Sequence, residues 1–264
     1  MTDYETLEIR RDDRGVAHVA LNLPEKRNAM NTAMIGELRH MAETLGAAEE
    51  TRAIVLSGRG KVFCAGADLG WMKAQIEADR TTRMAEARKL AEMLGALNEM
   101  PTPLIGRIHG GAFGGAVGLA CVCDVAIAAE GTKLGLTETR LGLIPATIGP
   151  YVVARMGEGR ARRVFMSARI FGAAEAAELG ILARAVPEAE LDDAVEAEIA
   201  PYLSVAPGAV GRAKALTRAL GPRIDAAVID DTIRRLADTW ETEEAAHGID
   251  SFLAKTPARW VQGG

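Results

Sequence analysis

Two rhythms of hydrophobic and polar positions run along this chain, and they predict two kinds of element. Short β-rich runs closed by glycine or proline appear at "GVAHVALNLP" (15–24, stopped by Pro24), "AIVLSG" (53–58), "PLIGRIHG" (103–110) and "DVAIAAEG" (124–131). Between them apolar residues recur at helical spacing. In "NTAMIGELRHMAETLGAAEE" (31–50), Met34, Leu38, Met41 and Leu45 share one face, and Asn31 stands where an N-cap belongs. A stretch of alternating charge predicts a helix over about 77–99. After Pro187 the strand rhythm stops, and 189–203, 207–219 and 223–247 give amphipathic helical patterns, with Pro207 and Pro222 at positions suited to helix boundaries. The pattern predicts an α/β core over residues 1–200 and an all-helical tail over 201–264, without low-complexity segments or fixed-period repeats. An apolar helical tail of this kind suits packing against another subunit.

Composition narrows the picture. Of 264 residues 48% are hydrophobic and 25% charged, enough for one large core. The net charge of −5 argues against a general affinity for nucleic acid, and basic runs such as "GRARR" around Arg160–Arg163 fit a solvated helix face. Asp3, Glu5 and Glu8 interrupt the N-terminus before any apolar run, so no signal peptide is expected, and the apolar run around 116–129 is broken by Asp124 and too short for a bilayer. Cys64, Cys121 and Cys123 are odd in number and lack zinc or redox spacing, which suggests buried thiols in a reducing cytoplasm. His18, His40, His109 and His247 are scattered without metal-ligand spacing and are expected to be structural or exposed.

Three glycine-bearing segments carry candidate chemistry. "VFCAGADL" (62–69) is a small-residue turn after a strand, and Asp68 stands where it could cap the helix that follows. In "HGGAFGGAVGLACVCD" (109–124), Gly114 and Gly115 fall where a helix would begin, with unsatisfied N–H groups at the positive end of its dipole. Two N–H groups from separate turns make an oxyanion hole if they converge. In "LGLTETRLGLIPATIG" (134–149), Glu138 stands between Leu134–Leu136 and Leu141–Ile144; apolar walls raise a carboxyl group toward the working range of an acid/base. Each segment has a plainer use: glycine pairs as packing devices, Glu138 as a strand-end carboxylate. No G-x-G-x-x-G follows a strand, and neither a P-loop nor a G-x-S-x-G elbow occurs.

Taken in order, "LNLPEKRNAMN", "VFCAGADL", "HGGAFGGAVGLACVCDVAIA", "TETRLGLIPATIGPYVVARMG" and "FLAKTPARW" resemble the enoyl-CoA hydratase/isomerase (crotonase) family over nearly the whole chain. The resemblance implies a spiral of ββα units with a C-terminal helical trimerisation domain, hence a homotrimer or dimer of trimers. It implies an oxyanion hole on Ala67 and Gly115 for the thioester oxygen of an acyl-CoA, with Gly114 beside it. Lys26, Arg27, Ala65, Asp68 and Leu69 match positions around the CoA path, and Phe252 and Lys255 a C-terminal position that reaches CoA, often from a neighbouring subunit. Coenzyme A is part of the substrate; no metal or other cofactor is implied.

The chain departs from the family at one point. Hydratases of this family usually carry two glutamates; the second is Glu138, but Gly118 stands at the first. "GGAVGL" with "LIPATIGPYVV" is similar to bacterial 3-methylglutaconyl-CoA hydratases of leucine breakdown and their isoprenoid-degrading relatives, whose acyl chains bear a second carboxylate. Arg140 is available as its counter-charge only if its segment is extended, so that 138 and 140 share a face; a surface ion pair is the alternative. Three functions follow: a hydratase working with Glu138, an isomerase in which Glu138 moves a proton between α and γ carbons, and a CoA-thioester binder without catalysis.

Overall fold

A computed structural model describes residues 4–261; the first and last three residues, which belong to the N-terminal and helical-tail expectations, lie outside the described residues. The first half builds strands β1 (Leu7–Arg11) and β2 (Val16–Leu21), helix α1 (Thr32–Thr44), strand β3 (Ala53–Gly58), helices α2 (Leu69–Glu77) and α3 (Arg80–Glu99), and strand β4 (Leu104–Ile108). Then come β5 (Gly111–Phe113), α4 (Gly115–Val122), β6 (Val125–Ala129), β7 (Lys133–Gly135), α5 (Gly149–Met156), α6 (Glu158–Phe165), β8 (Phe171–Gly172), α7 (Ala173–Glu178) and β9 (Arg184–Val186). Helices alone follow: α8 (Leu191–Ile199), α9 (Pro207–Leu220), α10 (Ala226–Trp240) and α11 (Glu243–Ala254).

Six strands form one sheet in the order β1-β2-β3-β4-β6-β9, antiparallel only between β1 and β2. A smaller sheet, β5-β7-β8, stands beside it. Successive strand residues point to opposite faces, and here both faces are apolar. Ile54, Leu56, Leu104 and Ile108 look into the larger core with Met34, Leu38 and Met41 of α1 and Met93, Leu94 and Leu97 of α3. Val55, Ile105 and Ile127 look the other way, onto Leu191, Val195 and Ile199 of α8. Burying each such side chain contributes roughly 1.5–3 kcal/mol.

Several element limits differ from the sequence pattern, each for a local reason. The helix expected over 31–50 stops at Thr44 and tightens into a 3₁₀ turn over Leu45–Ala47, while Asn31 caps its start by accepting from Met34 N at 2.8 Å. The helix expected over 77–99 begins at Arg80, where Asp79 accepts from Thr82 N at 2.8 Å. The pattern over 189–203 is α8 followed by a 3₁₀ stretch, Ala200–Ser204. That over 223–247 is two helices, because Thr242 caps α11 through Ala245 N at 3.1 Å. Among the described residues no helix is long and apolar enough to cross a membrane. Cys64, Cys121 and Cys123 are buried, and burial pushes each thiol up to about 12, so they serve as small core residues.

Candidate active site

Two backbone turns, one after β2 and the other after β3, lie side by side. Residues 23–28 fold into a tight turn over which Pro24–Lys26 is 3₁₀, leaving Lys26 and Arg27 exposed. Asn28 holds this turn. It is fully buried in the left-handed region (φ 53), where Asn is tolerated. Its Oδ1 accepts from Leu23 N at 2.9 Å, and its Nδ2 donates to Arg59 O, Val62 O and Phe63 O at 2.8, 3.0 and 3.1 Å. One amide thus ties the Lys26–Arg27 turn to the approach of the next.

The second turn, Ala65–Asp68, lies beside Met30. Met30 N donates to Gly66 O at 2.7 Å and Asp68 N donates to Met30 O at 2.9 Å. Successive amides of an extended segment point to opposite sides, so Ala67 N–H is directed away from Met30; Ala67 itself is exposed. Ala65 N donates to Arg27 O at 3.0 Å, and Leu69 is 52% exposed. Asp68 caps α2 by accepting from Trp71 N at 3.0 Å, so its carboxylate is spent on the helix.

The glycine cluster lies against this turn, since Phe113 N donates to Cys64 O at 3.3 Å. Gly114 caps α4 without a side chain (φ 52, ψ −118), a conformation that strains any residue with a Cβ. Gly115 is the first residue of α4, and its N–H has no partner within the helix. A Cβ on Gly115 would run into the Met30 methyl group, so Met30 lies against this glycine as well as the Ala65–Asp68 turn.

Glu138 completes the group. Leu134 and Leu136 are buried, and the segment then coils into a 3₁₀ turn, Glu138–Leu141, rather than staying extended. A Cβ built on Gly114 would lie 3.3 Å from Glu138 Oε1, which places the carboxylate against the start of α4. Its Oε2 is buried with no hydrogen-bond partner. Burial pushes the carboxyl up to about 7, while backbone amides of Glu138 and Thr137 pull the other way. A carboxyl held near 7 is able to exchange a proton at neutral pH, and it lies beside the start of α4.

The expected residues divide. Met30 links the Ala67 turn to Gly115, and Gly114 lies against Glu138, while Ala65 joins the first of these turns to Arg27, with Lys26 and Leu69 exposed nearby in the chain. Gly118 belongs to the wall behind: it is buried in α4, and a Cβ there would lie 2.5 Å from Ile148 Cγ2 and 2.9 Å from Ile148 Cβ. Arg140 is exposed and does not share a face with Glu138, because in a 3₁₀ turn residues two apart point about 240° apart. Phe252 and Lys255 stand exposed at the end of α11, with Lys255 left-handed (φ 56). The histidines are employed elsewhere: Tyr4 bonds His40 at 2.9 Å, His109 meets Gly60 O at 2.9 Å, and Arg259 N donates to His247 at 2.9 Å. Asn28, Met30 and Ile148 were not singled out by pattern; Asn28 alone had a signal, an asparagine closing a Pro-started turn.

Known proteins resemble this chain over nearly its whole length. The family model for enoyl-CoA hydratase/isomerase matches residues 11–263. An enoyl-CoA hydratase of Alternaria alternata is 32% identical over 263 residues, covering 98% of this chain and 84% of the relative. The crystal structure of an enoyl-CoA hydratase from Shewanella pealeana superposes with a TM-score of 0.79 at 36% identity, covering 97% and 96% of the two chains. Pseudomonas aeruginosa AtuE gives the same TM-score of 0.79 at 36% identity, covering 98% and 100%. The chain belongs to the enoyl-CoA hydratase/isomerase family.

Proposed function

We propose that the protein is an enoyl-CoA hydratase in which one carboxylate, Glu138, handles the proton in both steps. The observation that carries this reading is the buried, unpartnered Oε2 of Glu138 beside the first turn of α4. Ala67 and Gly115 N–H would hold the thioester oxygen, and each such donor is worth roughly a hundredfold or more in rate. The Glu138 carboxylate takes a proton from water as that water's oxygen bonds to the β-carbon. The double-bond electrons move through the α-carbon onto the thioester oxygen. The same proton then goes to the α-carbon, giving a 3-hydroxyacyl-CoA and returning the carboxylate. Both hydrogens and the oxygen of water end in the product, and no further cofactor is needed.

For substrate we propose 3-methylglutaconyl-CoA or a related branched glutaconyl-CoA, on the similarity of the "GGAVGL" and "LIPATIGPYVV" stretches. Lys26 and Arg27 would flank the CoA path, and Phe252 and Lys255 would meet CoA from this subunit or a neighbour. Leu216 and Leu220 of α9, 59% and 79% exposed, offer apolar surface for that neighbour in a trimer or dimer of trimers. Comparing kcat/KM for 3-methylglutaconyl-CoA and crotonyl-CoA tests the substrate; preference for the second would overturn it.

The contact of Gly118 with Ile148 favours a second reading. It leaves no place for the other family acid, and a lone carboxylate suffices for an isomerase moving a proton between α and γ carbons. The products distinguish the two, since only hydration adds water. A silent binder fits less well, because a carboxyl desolvated without a partner is costly to keep for binding alone.

A further inference from the structure

The turn that carries Glu138 rests on the C-terminal helix through close backbone contacts as well as side chains. Gly142 ends that turn in the left-handed region (φ 69), and a Cβ there would lie 2.5 Å from Glu244 O and 2.7 Å from Ala245 N of α11. The contact is mutual: a Cβ on Gly248 of α11 would lie 2.6 Å from both the carbon and the oxygen of the Leu141 carbonyl. At each of these two points a glycine of one element faces the backbone of the other with no side chain of its own to give way, and such packing transmits displacement. Leu143, Ala245 and Ile249 are buried around this point, with Leu141, Trp240 and Leu253 packed against them.

We propose that α11 is a positioning element for Glu138, and that the Gly248–Leu141 backbone contact sets how far the carboxylate is withdrawn from water. The proposal rests on Glu138 being the acid/base group, and it adds a second duty to a helix otherwise assigned to CoA contact.

Charge does not offer a competing account. On the turn itself Arg140 is exposed. Thr139 Oγ1 donates to Met166 O at 3.1 Å, bringing up the loop of Arg169, which is paired with Glu175 at 2.6 Å. Lys133 of β7 is exposed, and α4 ("GAVGLACV") carries no charged residue. On α11 the titratable groups are Glu243, Glu244, His247 and Asp250. Burial, and none of these charges, raises the Glu138 carboxyl. Moving the turn therefore acts by admitting water.

The test is to titrate the Glu138 carboxyl directly, by infrared difference against Glu138→Gln, in the wild type, Gly248→Ala and Leu253→Ala, with steady-state kinetics alongside. Ala237→Gly, near the C-terminal end of α10 and outside the cluster packed around the turn, serves as a destabilised control. Gly248→Ala is expected to bring the Glu138 midpoint down by about one pH unit and to lower kcat about tenfold or more, with KM held within about threefold. Leu253→Ala should move the midpoint the same way by less, and Ala237→Gly should move neither. An unchanged midpoint in the folded variants, or an equal change in the control, overturns the proposal; if Gly248→Ala does not fold, Leu253→Ala decides. The titration does not depend on the reaction. Full activity in Glu138→Gln would instead strike the hydratase reading itself.

Discussion

Gly118 and Ile148 exclude one another's side chains: the Cβ that any other residue would carry at 118 falls 2.5 Å from Ile148 Cγ2. The missing second acid is therefore built into the packing of α4 against the start of α5. Introducing the family glutamate alone, as Gly118→Glu, forces a buried clash and buries a charge. We expect a loss of about 2–4 kcal/mol with no gain in hydration. Gly118→Glu combined with Ile148→Ala removes the closer contact, at Cγ2, and leaves the one to Cβ at 2.9 Å, so the double variant should recover only part of the single variant's loss; thermal denaturation of the pair checks this.

Glu138→Gln keeps the shape of the site and removes the group proposed to carry the proton. Turnover should fall about 10²- to 10⁴-fold while the affinity for an acyl-CoA product changes by less than about threefold. The wild-type kcat/KM should rise through a midpoint near 7, because hydration starts from the carboxylate and burial holds this carboxyl at about 7.

The same group makes stability depend on pH. The unfolded chain releases this proton near 4.5, and the folded protein keeps it to about 7. Between these values the folded state binds more protons, so stability falls as pH rises and levels off above about 7, a loss of about 3 kcal/mol from this group. Glu138→Gln has no such slope and should be the more stable protein at pH 8; urea unfolding at pH 5 and pH 8 gives the comparison.

Asn28 is the residue whose loss should disturb the entrance without touching chemistry. Asn28→Ala leaves the Arg59, Val62 and Phe63 carbonyls short of a donor and puts a Cβ-bearing residue without a polar side chain at φ 53. A destabilisation of about 2–4 kcal/mol is expected, with KM rising more than kcat falls, as the Lys26–Arg27 turn loosens.

Much of this was legible along the chain. Strands 53–58 and 103–110 announced themselves because both faces are buried, and the caps at Asn31 and Asp68 follow from side chains that bond their own backbone. The site glycines and Glu138 were legible from their surroundings, since Gly114 precedes an apolar run and Glu138 interrupts one. What lay hidden depends on contacts distant in sequence. The 3₁₀ coil that turns Arg140 outward is closed by Gly142, which is seated on Glu244 more than a hundred residues on. Strands such as β5, β7 and β8, of 2–3 residues each, are too short to show a period. Ile148 looks like any core residue until α4 is set beside it.

Whether Glu138 alone puts water onto an enoyl-CoA is read out by labelled water. The wild type and Glu138→Gln are incubated with 3-methylglutaconyl-CoA in H₂¹⁸O and the products weighed by mass spectrometry. A singly ¹⁸O-labelled hydroxyacyl-CoA is expected from the wild type and almost none from the variant. Label appearing at equal rates in both, or in neither despite tight binding, would contradict this.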